Sequence, residues 1–203
     1  MDFKLKYPHF ECFLSKWAVS SKKMLQLMEK KISNKTFIGK ELVSINSSTC
    51  ENSRDLIILW CLHGLLVPCK VAKKGEKGNG DSQRHTISDS QKSFIIIAES
   101  HAEMEDTLFH LSSKSKQIQP CLLLIGNLHD VKEIFVYFDG VRFPMVNSQR
   151  ATDICFKIFF VFNFKYPEAA NLFWTFIEYF IYKLNSSKIN TKVATLCNEL
   201  NTM

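Results

Sequence analysis

The two side chains best suited to chemistry in this sequence are Cys61 and His63, inside the apolar run LIILWCLHGLLV. An imidazole can activate a thiol nucleophile, but only when the two groups come within hydrogen-bond reach. On a helix, residues two apart diverge by about 200° around the axis, so this pair cannot meet directly. A reactive thiolate also requires an electropositive, partly exposed setting, and Cys61 is flanked by Trp60 and Leu62. The residues read as a core cysteine and a histidine on a helix surface.

Other candidates fall short in similar ways. His101 and Glu105 share an i, i+4 face with Glu103 nearby, but zinc asks for three or four ligands and His110 projects to roughly the opposite side. Glu103, Glu105 and Asp106 belong to a first helical turn, where the macrodipole alone favours acidic residues. The stretch from Lys73 to Ser82, KKGEKGNGDS, is glycine-rich but lacks the GxxxxGK[ST] spacing that cradles phosphate. No catalytic, metal-binding or cofactor-binding residue is assigned, no cofactor is expected, and the chain is read as not an enzyme.

Charge offers one positive signal. The formal net charge is +6. Lys16, Lys22, Lys23, Lys30, Lys31, Lys35 and Lys40 concentrate near the amino end, and Lys70, Lys73, Lys74 and Lys77 form a second group. Phosphates attract such arrays, so Lys22, Lys23, Lys30, Lys31, Lys73, Lys74 and Lys77 are the candidate nucleic-acid contacts. Arginine is scarce, which argues against bidentate base readout. The competing reading is an ordinary solvated, lysine-rich surface.

Composition sets the compartment and the class. Seventeen Phe stand against seven Gly, and 46% of the residues are hydrophobic; such a chain can bury a sizeable core. Seven cysteines, at positions 12, 50, 61, 69, 121, 155 and 197, form no CxxC pair. Their odd count and apolar settings suit a reducing compartment. With no secretory signal read at the amino end, the expected location is intracellular, in nucleus or cytoplasm. The apolar stretch from Ile154 to Tyr182 is interrupted by Lys157, Lys165, Pro167, Glu168 and Glu178, which a membrane span would not tolerate. No membrane partner is expected.

The elements that must position these residues follow from patterning. Residues 9–32 read as a helix, 36–46 as a short strand or helical turn, and Ser47 to Arg54 as a loop. A helix over Asp55–Val67 is capped by Ser53 and stopped by Pro68. Residues 73–92 read as a flexible linker. Beyond it, Phe94–Ala98, Pro120–Gly126, Glu133–Phe138 and Val141–Met145 read as strands, the last two joined at Asp139-Gly140. A helix capped by Ser100 and Glu103 lies between the first two. Helices over 148–164 and 168–184 follow, the second with Pro167 in its first turn.

The expected fold is α/β (α+β). A small mixed or antiparallel sheet is packed by the two C-terminal helices, with an N-terminal helical segment docked on it. In domain terms, 1–72 is helical, 73–92 linker, 93–184 the α/β core and 185–203 a polar tail with a weak helix that frays. The central premise is that Phe159, Phe162, Phe173 and Phe176 lie in the interior.

The strings SFIIIAES, QPCLLLIG, FVYFDGVRFPM, ATDICFKIFFVFNFKYP and LFWTFIEYFIYKL together resemble a domain of insect and fish proteins associated with transposable elements, some of which carry a sterile-alpha-motif domain. The most specific fragment is Asp153-x-Cys155-Phe156-Lys157 with Phe162-Asn163 and Tyr166-Pro167. The resemblance covers about residues 84–184. It implies a fold and a mobile-element origin, but no reaction. The expected function is a non-enzymatic interaction or assembly module, with a protein partner or self-association. Short edge strands such as 141–145 are candidates to accept a partner strand. The alternative is a nucleic-acid-binding accessory factor using the lysine-rich amino-terminal segment.

Overall fold

The computed structural model describes residues 3, 13–45, 50–68, 85–114, 118–184 and 189–203. The fold is mixed α/β, as the patterning predicts. Helix α1 (Phe13–Lys31) buries the stripe Phe13, Trp17, Met24, Leu25 and Met28. Helix α2 (Phe37–Ser44) opens on Thr36, whose hydroxyl accepts from the Gly39 backbone N–H at 3.0 Å. Helix α3 (Glu51–Leu65) is buried along most of its length. Gly64 lets α2 lie close to it, since a Cβ there would sit 2.9 Å from Ile38 Cδ1.

Helix α4 (Ile87–Phe94) leads directly into strand β1 (Ile95–Ala98), and helix α5 (His101–Lys114) crosses over to β2 (Cys121–Gly126). Strands β3 (Val131–Phe138) and β4 (Val141–Met145) complete a sheet of order β1-β2-β3-β4. The β1–β2 pair is parallel, Ile95 opposite Leu122, and the other two pairs are antiparallel. Asp139 (φ 50°) and Gly140 (φ 79°) both take the left-handed backbone that a tight two-residue hairpin needs. All six residues of β2 are buried because both faces of the sheet are covered. Met104 and Leu108 of α5 cover one face with Leu123 and Ile125, and α4 and the helix over 148–161 pack on the other, where Leu122, Leu124, Ile134 and Val136 join the main core.

Helix α6 (Ser148–Val161) is capped by Asn147, whose side chain accepts from the Arg150 N–H at 2.8 Å. Helix α7 (Asn171–Phe176) runs into a π-helical turn over Ile177–Ile181, and α8 (Thr191–Thr202) closes the chain. One apolar core joins Trp17, Leu59, Leu122, Phe156, Phe173 and Leu196, so the N-terminal helices and the sheet share an interior.

Several boundaries differ from the sequence expectations, each for a local reason. The predicted linker ends early. Residues 87–94 are helical because Thr86 and Asp89 form a reciprocal cap: the Thr86 hydroxyl accepts from Asp89 N–H at 3.1 Å and Asp89 Oδ2 accepts from Thr86 N–H at 2.7 Å. These bonds, the backbone one first, hold the Asp89 carboxyl below its usual range. Residues 73–84 of the expected linker lie outside the described residues.

The helix expected to fray in the polar tail is α8, which instead packs, burying Val193, Leu196, Cys197 and Leu200. Ser53 does not cap α3. The helix starts at Glu51, and the Ser53 hydroxyl donates to the His129 carbonyl at 3.0 Å. Helix α7 begins at Asn171, after a turn that holds Pro167 and Glu168. Phe159, Phe173 and Phe176 are interior as expected, but Phe162 is 55% exposed.

Candidate functional site

Among the described residues, several of the candidate lysines are engaged within the fold. Lys23 Nζ donates to the Leu200 carbonyl at 3.5 Å, and Lys31 Nζ forms an ion pair with Glu199 at 2.5 Å. Lys16 Nζ lies 5.2 Å from the centre of the Phe180 ring. Lys16, Lys23 and Lys30 are spaced seven apart, a stripe along one side of α1, and two of the three engage the C-terminal helices. Lys22 and Lys30 are exposed. Lys73, Lys74 and Lys77 lie outside the described residues.

His63, expected on a helix surface, lies fully buried in the interior. Its ring stacks on Phe173 (4.3 Å between centres, 11° between planes) and lies 5.5 Å from Phe94. Nδ1 bonds to Ser90 Oγ at 2.7 Å, while Nε2 makes no hydrogen bond among the described residues. Burial lowers its pKa to about 3, so it stays neutral. As expected, Cys61 does not face it; the thiol contacts the Ile38 carbonyl at 3.7 Å.

The cysteines divide sharply. Burial raises the thiol pKa of Cys61 and Cys155, and lifts Cys121 and Cys197 to about 12. Cys50 is exposed at the start of α3, where the backbone N–H groups of Ser53 and then Asn52 lower its pKa. Thiolate fraction and access control alkylation. Under limiting iodoacetamide, peptide mass spectrometry of the native protein should therefore show Cys50 modified at least tenfold faster than Cys61, Cys121, Cys155 or Cys197. Comparable rates would contradict the packing described here.

The acidic residues of α5 pair away from one another. His101 Nε2 meets Glu133 at 2.7 Å, Glu103 accepts from Glu99 N–H at 2.8 Å, and Glu105 contacts Arg142. Among the described residues, no group of three or more His, Cys, Asp or Glu is placed to hold a metal, and no helix is long and apolar enough to cross a membrane.

Phe162, expected in the core, instead belongs to an aromatic corner on the surface. Helix α6 ends in a reversal at Asn163 (φ 54°): Phe164 N–H bonds the Phe159 carbonyl at 2.9 Å and Asn163 N–H bonds that of Phe160 at 3.4 Å. This double closure needs a left-handed residue, a role asparagine tolerates. It places Phe162 and Phe164 beside the hairpin, with their rings 4.8 Å and 5.8 Å from that of Phe138. Val141 pairs with Phe138 and Phe143 with Val136, so both project to the same face as Phe138. Val141, Phe143 and Phe162 are at least 40% exposed.

Phe164 also lines a cleft of about 480 Å³ behind the corner, with Phe159, Phe160, Tyr166, Lys165 and Glu178. Glu178 is half-buried on the π-helical turn. Burial raises its pKa, and the Tyr166 hydroxyl, donating at 3.1 Å, opposes that shift.

Compared with protein-family models, with curated proteins and with solved structures, the chain has no match.

Proposed function

We propose that this chain is a non-enzymatic interaction module that contacts a protein partner through the aromatic corner of Phe138, Val141, Phe143, Phe162 and Phe164. The supporting observation is the gathering of Val141, Phe143 and Phe162, each at least 40% exposed, about the Phe138 ring; Phe37 and Phe109 are more exposed still, but lie outside this cluster. Exposed apolar side chains gathered in one place mark contact surfaces more often than scattered ones do. Aromatic rings are also the side chains that most often anchor an interface.

The contact is made by side chains, not by strand addition. In a two-residue hairpin the flanking pair, Phe138 and Val141, directs its backbone groups inward. Arg142 and Pro144 therefore face the open edge of β4, and Pro144 has no N–H to give. The sequence expectation that strand 141–145 accepts a partner strand is set aside on that ground. Descent from a mobile element belongs to the same proposal and rests on the residue strings alone. The nucleic-acid alternative has less support, since Lys23 and Lys31 engage the last helix. It would be favoured by binding to mixed-sequence RNA or DNA that weakens steeply as salt rises.

The test compares the wild type with Phe162→Ser. The change removes the ring contact with Phe138 at a half-exposed position and should cost about 1 kcal/mol of stability, read by urea denaturation, leaving the protein folded. Association, read as self-assembly by sedimentation or as a defined partner's affinity by calorimetry, should weaken at least tenfold. Unchanged association would remove the corner from the interface.

A further inference from the structure

The cleft behind the corner has a specific chemistry. Its walls are aromatic: Phe159, Phe160, Phe164 and Tyr166. Tyr166 is fixed edge-on to Phe159 at 5.2 Å and stacks toward Trp174 at 6.3 Å, so the wall is rigid on two sides. Two carboxylates, Glu168 and Glu178, face one cation, Lys165, along the lining. Glu168 is largely exposed and lies 3.7 Å from His85. Glu178 differs: it is half-buried, it accepts from Tyr166, and among the described residues no cation is an influence on its carboxyl. A carboxylate has about four acceptor sites, and desolvating it without a cation is unfavourable.

We propose, building on the interaction reading above, that this cleft receives a basic side chain of the partner, an arginine in preference to a lysine, carried on a segment whose flanking apolar residues cover the aromatic corner. The Phe162 and Phe164 rings lie 6.2 Å apart, which makes the corner and the cleft one continuous surface. A guanidinium satisfies both needs of the site. Its planar face stacks on the aromatic rings and its N–H fork pairs with Glu178. Burial makes that carboxyl easier to protonate, so the pocket is emptied by acid: binding is lost as the pH falls through the Glu178 titration. The cleft volume of about 480 Å³ falls within the ~300–1,000 Å³ usual for ligand pockets.

The experiment titrates the isotope-labelled full chain with N-acetyl-arginine methylamide, its neutral isostere N-acetyl-citrulline methylamide, and the peptide acetyl-Leu-Arg-Leu-amide, following NMR shifts. The arginine compound should give saturable shifts at Phe164, Tyr166, Asn171 and Glu178. Citrulline should bind at least tenfold more weakly. Glu178→Gln should reduce arginine affinity to the same extent, and lowering the pH should do so in the wild type. The peptide should bind at least tenfold more tightly than the single residue.

Absent saturation, or affinities for citrulline or in Glu178→Gln within twofold of the reference, would overturn the cleft assignment. Equal affinities for peptide and single residue would overturn the partner segment in favour of a free small cation. If Phe162→Ser weakens association while the cleft ignores arginine, the interaction reading stands and this one falls. If arginine binds and Phe162→Ser changes nothing, the cleft stands and the corner falls.

Discussion

Shifting the pH from 7 to 5 should remove about 2 kcal/mol of folding stability through His63 alone. The imidazole is neutral in the fold because burial lowers its pKa from 6.5 to about 3. In the unfolded chain it protonates near the ordinary value of ~6.5. Its depressed folded pKa means the unfolded state binds the extra proton first. The contribution is intact above pH 6.5 and is lost progressively as the pH falls toward 3. The structural cause is the slot between Phe94 and Phe173, with Ser90 at Nδ1.

The matching control is His63→Phe combined with Ser90→Ala. Replacing both partners with apolar groups avoids leaving the buried serine hydroxyl without its imidazole. Urea denaturation at pH 7 and pH 5 should show the wild type losing about 2 kcal/mol more than the double variant. Equal losses in the two proteins would contradict the neutral, buried state of His63.

Replacing Asp153 with Ala should cost about 3 kcal/mol, lowering the midpoint of thermal unfolding by about 10 °C for a chain of this length. Asp153 is 2% exposed. Its carboxylate accepts from Lys157 Nζ at 2.8 Å, from Arg150 Nη1 at 3.0 Å and from the Tyr182 hydroxyl. Tyr182 is buried and stacks on Phe156 at 4.1 Å and 12°, so the node ties α6 to the end of the π-helical turn.

Removing the carboxylate takes away an acceptor of a buried phenol and a partner of Lys157, whose side chain is 21% exposed. Asp153→Asn keeps an acceptor but loses the charge, and should cost less than half as much. Calorimetry of the two variants decides. A loss under 1 kcal/mol in Asp153→Ala would show that the node is not a structural tie.

These two predictions show where the sequence was readable and where it was not. The strands were legible because β2 is buried on both faces, which shows as an unbroken apolar run, and because Asp139-Gly140 has the chemistry of a tight turn. The Asp153–Lys157 spacing was visible as part of a motif, but its meaning depends on Tyr182, 29 residues away. His63 was misplaced because helical periodicity weakens in a run that is apolar on all sides. The slot that buries it comes from α4 and α7, which no local pattern reveals.

Phe162 was misplaced for the opposite reason. It continues the apolar spacing of α6, but the helix stops one residue before it and Asn163 turns the chain outward. The signals that could have found these features were the Thr86-x-x-Asp89 cap inside a polar stretch and an Asn between two Phe at a helix end. The helical spacing of Val193, Leu196, Cys197 and Leu200 is the signal that the helix in the polar tail packs rather than frays.

The most direct test places a photo-crosslinking phenylalanine analogue at Phe162 and, for comparison, at Val43, an exposed apolar position on α2 (56%). Crosslinked peptides would be sequenced by mass spectrometry. Position 162 should give a saturable, competable crosslink to a segment that carries an arginine or lysine among apolar residues, and position 43 little. Equal yields from the two positions, or none that saturates from 162, would contradict the aromatic corner as the contact surface.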